Sequence, residues 1–577
     1  EEAMYALNYQ STMGPHLANG PLNANRGGRL EDLGLRFVEM AKSVGFSANE
    51  IPLNMYPLSL PYYAGTPELA QQADQSKVNG DDLDVMTARG SEAKQRTVIP
   101  AYYRDYKTLS WDDSRFERII NPASIGGILL KEVMWSQDFL GGMHITETNE
   151  EVEALSSTMD KDGKHSLGVS AADGFNGMVL TEQSLDKLLI LQKKLAYDGK
   201  TLGVKFGPNY DPEMHPVWLA HKVAVTEGRK NGVNSIEKLT VIDGSSQLSD
   251  IWLSLWSVSE FFAYTDQRLA NTAQNPAFSA VFDGAPFASS PKANTDNVTD
   301  NDISSDDAFS LANNISQLLF KNLASLHFNK SNGTLVNVYK SGQQSQEVDT
   351  FDAAYALVAL SIFQRAQDAL PVGYAAGRSG DVNLETANGK AALIMLQRQA
   401  DFILKSLIDK NGLVVDGLTL GGKVNTRTSL DSQFATIRGL VAAFLATEDV
   451  RYKHAARSIY VAVEKHMFDR SINTWAEHPG KATLHTPYTA AAISGGLRET
   501  ILHLKNEENE NEPALELETL TQRYVGWFKG VINGGMQLSE WLGDSGENML
   551  KAANTSDSDE DGVPQLTAAG GKFGTAM

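Results

Sequence analysis

Between Asp431 and Met467 the apolar positions fall into two runs with helical spacing. Phe434, Ile437, Leu440, Val441, Phe444 and Leu445 recur at intervals of three and four, and Tyr452, Ala455, Ala456, Ile459 and Val463 repeat the pattern. The linker "ATEDVR" is too short for anything but an antiparallel return, so the two runs predict a helical hairpin. The same periodicity predicts helices over 306–326, 350–368, 387–409, 431–447, 451–467, 485–504 and 514–531. Upstream, "PASIGGILLKEVMWSQDFLGG" opens with Pro122 and closes on Gly141-Gly142, and "EQSLDKLLILQKKLAYDGK" and "SSQLSDIWLSLWSVSEFFAYTDQ" read as two more helices.

An internal repeat organises these helices. Three of them end in an apolar or aromatic residue, then Asp or Asn, then a base, a turn and a short apolar step: "HFNKSNGTL" at 327–335, "LIDKNGLV" at 407–414 and "MFDRSINTW" at 467–475. "AYDGKTL" at 196–202 is a fainter copy. Each of the three full copies is followed by an irregular loop and a helix entered through a polar step, in "DTFDAAYALVAL", "TSLDSQFATIRGL" and "HTPYTAAAISGGL". The unit is helix, turn with a small extended excursion, helix.

Residues 1–119 break this regularity. They are rich in Pro, Gly, Asn and Tyr, with one helical stretch at "RLEDLGLRFVEMAKSVGF", and they predict an extended, loop-rich region. The aromatic and charged run "YYRDYKTLSWDD" within it is suited either to plugging or to rimming a binding mouth. The polar "SSPKANTDNVTDNDISSDD" predicts an exposed loop near a boundary at 300. The expected organisation is therefore 1–119 loop-rich, 120–300 a first helical region, 301–540 helical-hairpin repeats, and 541–577 an acidic tail.

The segment "AAFLATEDVRYKHAARSIYVAVEKHMFD" resembles the shared hairpin of the (α/α)6 toroid proteins, the six-hairpin group that includes N-acylglucosamine 2-epimerase-like enzymes and many glycoside hydrolases. The likeness covers residues 300–535 well and 120–300 loosely. It implies a mainly α fold, an (α/α)6 toroid-like set of helical-hairpin repeats with minor β excursions, and a carbohydrate handled in the central funnel by hydrolase or epimerase chemistry. The shared residues are packing and turn residues, so a non-catalytic extracellular or periplasmic protein, binding or structural and stabilised by calcium, is the alternative.

Composition narrows the chemistry. Lys and Arg number 50 against 71 Asp and Glu, a net charge of −21 that repels nucleic-acid phosphates and anionic membranes. The absence of cysteine excludes disulfides, thiolate metal sites, cysteine nucleophiles and covalent haem. No apolar run approaches the ~20 residues that span a bilayer. The chain opens Glu1-Glu2 without an initiator methionine, as a processed exported protein does, and a secreted, periplasmic or cell-surface location with a carbohydrate or cell-surface partner is the expectation. There is no H-E-x-x-H, G-x-S-x-G, Walker A loop or dinucleotide G-x-G-x-x-G, which argues against zinc proteases, α/β-hydrolases, nucleotide phosphotransferases and Rossmann dehydrogenases.

In a helical toroid the chemistry sits on the loops at one mouth of the funnel. "WAEHPGKATLHTPY" crowds Trp475, Glu477, His478, His485 and Tyr488 into one such loop. The histidines and Glu477 suit proton transfer, and Trp475 and Tyr488 suit stacking on a sugar face; the competing reading leaves His478 solvated and His485 capping a helix. Asp352 and Asp431 stand at the first turn of two entering helices, where they act either as N-caps or as a facing acid and base. Trp252 and Trp256, four apart beside Phe261 and Phe262, read as core. In "NTSDSDEDGVPQL", Asp557, Asp559 and Asp561 alternate before Gly562, and the Val563 carbonyl completes the start of a Ca²⁺ loop. Ala568 stands where an EF-hand needs a bidentate Glu, so the segment resembles a thrombospondin type 3 calcium repeat; the competing reading is a solvated acidic tail.

Overall fold

The computed structural model describes residues 119–142, 187–230, 233–266, 308–372, 384–480 and 487–533, with short pieces at 97–98, 180–181, 184–185, 268, 536–537 and 565–567. The N-terminal aromatic run, the 289–307 loop, His485 and the tail residues Asp557, Asp559, Asp561 and Val563 lie outside the described residues.

The periodic segments fold as helices close to their expected bounds: α1 (Pro122–Gly142), α2 (Leu248–Tyr264), α3 (Ala308–Asn322), α4 (Thr350–Gln367), α5 (Ala387–Ser406), α6 (Leu430–Thr447), α7 (Val450–Met467), α8 (Pro487–Glu499) and α9 (Leu517–Trp527). Side-chain caps start several of them: Asp349 accepts from the Asp352 amide, Thr386 from Gly389, Ser429 from Ser432 and Asp449 from Arg451. Asp352 and Asp431 are therefore not the caps. They are the third residue of α4 and the second of α6, so they also differ by one position in the helical frame.

Packing sorts the helices into two layers. α1, α2, α4, α6 and α8 lie side by side in that order, while α3, α5 and α7 back onto α2, α4 and α6. From α2 onward each inner helix is separated from the next by one returning outer helix, so α2, α4, α6 and α8 are parallel and their N-termini open on the same side. This is the mainly α, toroid-like hairpin repeat; its inner helix α2 is buried nearly throughout, and α4 and α6 bury most of their residues. One hydrophobic cluster runs from Ile120 to Val531, across position 300. Some seams are backbone-tight: a Cβ on Gly439 would lie 2.5 Å from the Ala354 carbonyl oxygen of α4, and one on Gly496 would lie 2.9 Å from the Phe434 carbonyl oxygen of α6.

The repeated Asp/Asn step is an Asx turn that closes a miniature hairpin behind an outer helix. Asp198, Asn329, Asp409 and Asp469 each accept backbone N–H bonds two to four residues ahead, at 2.6–3.1 Å. Phe328 then pairs with Leu335 and Phe468 with Trp475, while Ile408–Val414 and Tyr197–Leu202 form single bridges. The turns need a left-handed residue, supplied by Gly333 (φ 71°), Gly412 (φ 82°) and Asn473 (φ 55°). A larger β feature was not anticipated: strands Lys222–Lys230 and Val233–Asp243 form a long antiparallel hairpin, edged by Ile119–Ile120. Its signal in the sequence is Asn231-Gly232 between two alternating runs.

Candidate active site

The inner-helix N-termini carry a row of carboxylates. Asp250 is the third residue of α2, Asp349 caps α4, Asp352 follows on its first turn, and Asp431 is on the first turn of α6. Asp416, on the loop before α6, accepts from the Ser429 amide at 2.7 Å, the Ser429 hydroxyl at 2.8 Å and the Ser432 hydroxyl at 2.9 Å. Glu477 adds a carboxylate from the next loop and pairs with Arg427 at 3.2 Å; Arg427 also reaches Asp416 at 3.5 Å.

Asp352 holds a strongly perturbed proton. Its side chain keeps some solvent contact, yet burial raises its pKa to about 7, reinforced by the Asp349 and Asp250 charges and opposed by a 2.9 Å hydrogen bond from the Trp252 indole Nε1. Burial also raises Asp349, against the Asp352 amide bond and with the Asp416 charge. Asp431 is raised by burial and then by the Glu477 and Asp416 charges, while the Thr489 hydroxyl donates to it at 3.3 Å and favours its ionised form. The mouth thus combines a carboxyl that keeps its proton near neutrality with a second carboxyl that has a donor to stabilise its anion.

Aromatic rings form the wall beneath. Tyr355 stacks on Trp252 with centroids 4.8 Å apart and planes at 17°, and Phe351 lies 4.8 Å from Tyr355. Trp256 continues the stack at 6.4 Å, with the Arg438 guanidinium 4.7 Å over its ring. Burial raises the Tyr355 phenol and the Asp431 charge raises it further. Trp252 and Trp256 are core residues, as their spacing predicts, but the polar edge of Trp252 serves the mouth.

The residues expected in the 475–488 loop separate. Trp475 is fully buried, donates to Glu464 at 2.9 Å and packs on Phe434 and Phe468, so it has no face to offer a sugar. Glu477 is half-buried at the mouth in its Arg427 pair, and His478 is exposed. Tyr488 is the second residue of α8. The sequence reading missed Asp250, Asp349, Asp416, Tyr355 and His221. Asp250 was legible, because "QLSD" and "DTFD" set an acid at the same offset from their helix starts.

Among the described residues no cluster of His, Asp and Glu has the geometry of a metal site. No helix there is long and apolar enough to cross a membrane. No family model matches the sequence, and no curated protein does. Solved structures similar to the chain include a GH76 α-mannanase from Bacteroides thetaiotaomicron at 12% identity, covering 88% of this chain and 95% of that one with a TM-score of 0.37. A cellobiose 2-epimerase from Spirochaeta thermophila is 11% identical, with 80% and 85% covered and a TM-score of 0.35. A GH76 mannosidase from Bacteroides thetaiotaomicron is 8% identical, with 80% and 99% covered and a TM-score of 0.33.

Proposed function

We propose that the chain acts on carbohydrate by hydrolase-type chemistry at the mouth formed by α2, α4 and α6. The observation that supports this reading is the Asp352 carboxyl, raised to about 7 beside an aromatic wall, with Asp431 on the first turn of the neighbouring inner helix α6. Asp352 is the general acid: it gives its proton to the glycosidic oxygen as the bond to the anomeric carbon breaks. Asp431, in its anionic form with Thr489 donating to it, meets the positive charge that develops at that carbon, as nucleophile or as base toward water. Phe351, half-buried on the first turn of α4 and backed by the buried Tyr355, supplies the apolar face for a sugar ring.

Carboxylates rather than imidazoles dominate the described mouth, which favours hydrolysis over epimerisation. Asp352→Asn and Asp431→Asn, assayed on a panel of neutral and N-acetylated oligosaccharides, test the reading. Each should lower turnover by about 10²–10⁴-fold, the range for a general acid or base. Turnover unchanged in both variants would overturn it, and saccharide binding without turnover in the parent would leave the non-catalytic binding protein.

A further inference from the structure

The starts of α1 and α2 are joined through one imidazole beside the carboxylate row. Asp250 is 1% exposed and accepts from the Ala123 amide at 3.2 Å, in the first turn of α1. Its other oxygen meets His221 Nδ1 at 2.9 Å. Asn121 Nδ2 lies 3.3 Å from the same nitrogen, but it donates at 2.9 Å to the His221 carbonyl. The shorter bond assigns the Nδ1 proton to Asp250. His221 thus has one ring nitrogen fixed by a buried carboxylate. Among the described residues the other, Nε2, has no hydrogen-bond partner, and the side chain keeps 21% of its surface exposed.

We propose that His221 is a substrate-contacting residue of this mouth, with Nδ1–H held by Asp250 and Nε2 presented to a sugar hydroxyl. This rests on the carbohydrate reading above and extends the binding surface from α4 and α6 to the α1–α2 side. The geometry supports it in two ways. The ring is oriented by a partner that cannot rotate away, because Asp250 is itself tied to the α1 backbone. And Asp250 stands two residues before Trp252 on α2, whose indole donates to Asp352 at 2.9 Å, which puts the imidazole one carboxylate away from the proposed general acid.

The charged groups around His221 are Asp250 on α2, and Asp243 and Lys222 at the base of the long hairpin. Burial and Lys222 depress the imidazole, and Asp250 with Asp243 more than offset them, so the net shift is upward. As a neutral ring Nε2 accepts from a hydroxyl, and as an imidazolium it donates to one.

The experiment uses the full chain and short neutral oligosaccharides as probes, with imidazole ¹⁵N resonances assigned through His221→Asn. Saccharide addition should shift the His221 Nε2 signal. His221→Asn keeps an N–H for Asp250 where Nδ1 stood and removes Nε2; it should retain the melting temperature yet lose about tenfold in affinity, as for one hydrogen bond. His221→Gln, which restores a polar group at the Nε2 position, should recover part of that loss. An unshifted Nε2 signal in a saturated complex, or parent-like affinity in His221→Asn, overturns the proposal. If His221→Asn lowers the melting temperature, the Nε2 signal of the parent decides. Unchanged turnover in Asp352→Asn alongside a shifted Nε2 signal would overturn the general-acid reading and leave the contact standing, whereas a chain that binds no saccharide overturns both.

Discussion

The Trp252 indole on α2 donates to the Asp352 carboxylate on α4 at 2.9 Å, across the seam where the two helices stack their aromatic rings. That bond favours the ionised form of Asp352 and restrains a pKa that burial would otherwise lift further. Trp252→Phe keeps the ring and deletes the donor. The Asp352 pKa should then rise above about 7, and the corresponding limb of the kcat/KM–pH profile should move to higher pH with it. An unmoved profile would mean that Asp352 does not set it.

His327 makes acid stability a second test. It is fully buried, with Nδ1 donating to the Val336 carbonyl at 2.8 Å and Nε2 2.9 Å from the Ser246 hydroxyl. Burial pushes its pKa from 6.5 down to about 4, against the opposing hydrogen bond. A depressed histidine favours the folded state fully above 6.5, and that contribution drains away as pH falls toward about 4, because the unfolded chain takes up the proton first. Melting temperatures should fall across that window, and His327→Gln should flatten this part of the fall.

The turn glycines allow a test of the repeat. Gly412 has φ 82°, and a Cβ there would lie 3.2 Å from the Ala462 Cβ. Gly412→Ala should destabilise by about 1–2 kcal/mol through the left-handed conformation alone. Asn473→Gly at φ 55° should be neutral or mildly stabilising. Chemical denaturation of the two variants measures both, and equal losses would contradict the equivalence of the turns.

The tail is proposed to bind Ca²⁺ through Asp557, Asp559, Asp561 and the Val563 carbonyl. Three carboxylates within five residues repel one another unless a hard cation draws them together, and Gly562 supplies the bend. Calorimetric titration should give a weak site of ~10⁻⁴ to 10⁻³ M, absent from an Asp559→Ala, Asp561→Ala double variant. Equal heats from the two proteins would leave a solvated acidic segment.

The hairpin repeat was legible because periodicity and turn chemistry are local. The spacing of Phe434 to Leu445 marked α6 within one residue of its observed start, and the Asp-base-turn signature named the Asx turns. The mouth was only half legible. Asp352 and Asp431 stand out at helix starts, but which residue caps a helix and which is left uncommitted on its first turn depends on an offset of two or three residues: Asp349 and Ser429 take the amides and release the others. Trp475 misled because an aromatic beside a loop of histidines looks like a platform, whereas its neighbours across the hairpin and on α6 enclose it. The His221–Asp250 contact joins residues 29 apart through tertiary packing, and no local pattern announces it.

The seams between inner helices are filled differently, and this has a bearing on shape. Gly439 lets α6 meet α4 backbone to backbone, and Gly496 does the same for α8 against α6, whereas the α2–α4 seam is filled by two stacked rings, Trp252 and Tyr355. The glycines act as calibrators of bore. An alanine at Gly439 would prise α6 from α4 and alter the gap between Asp431 and Asp352, so the spacing of two carboxylates on neighbouring helices is set partly by a residue with no side chain, about two helical turns below them.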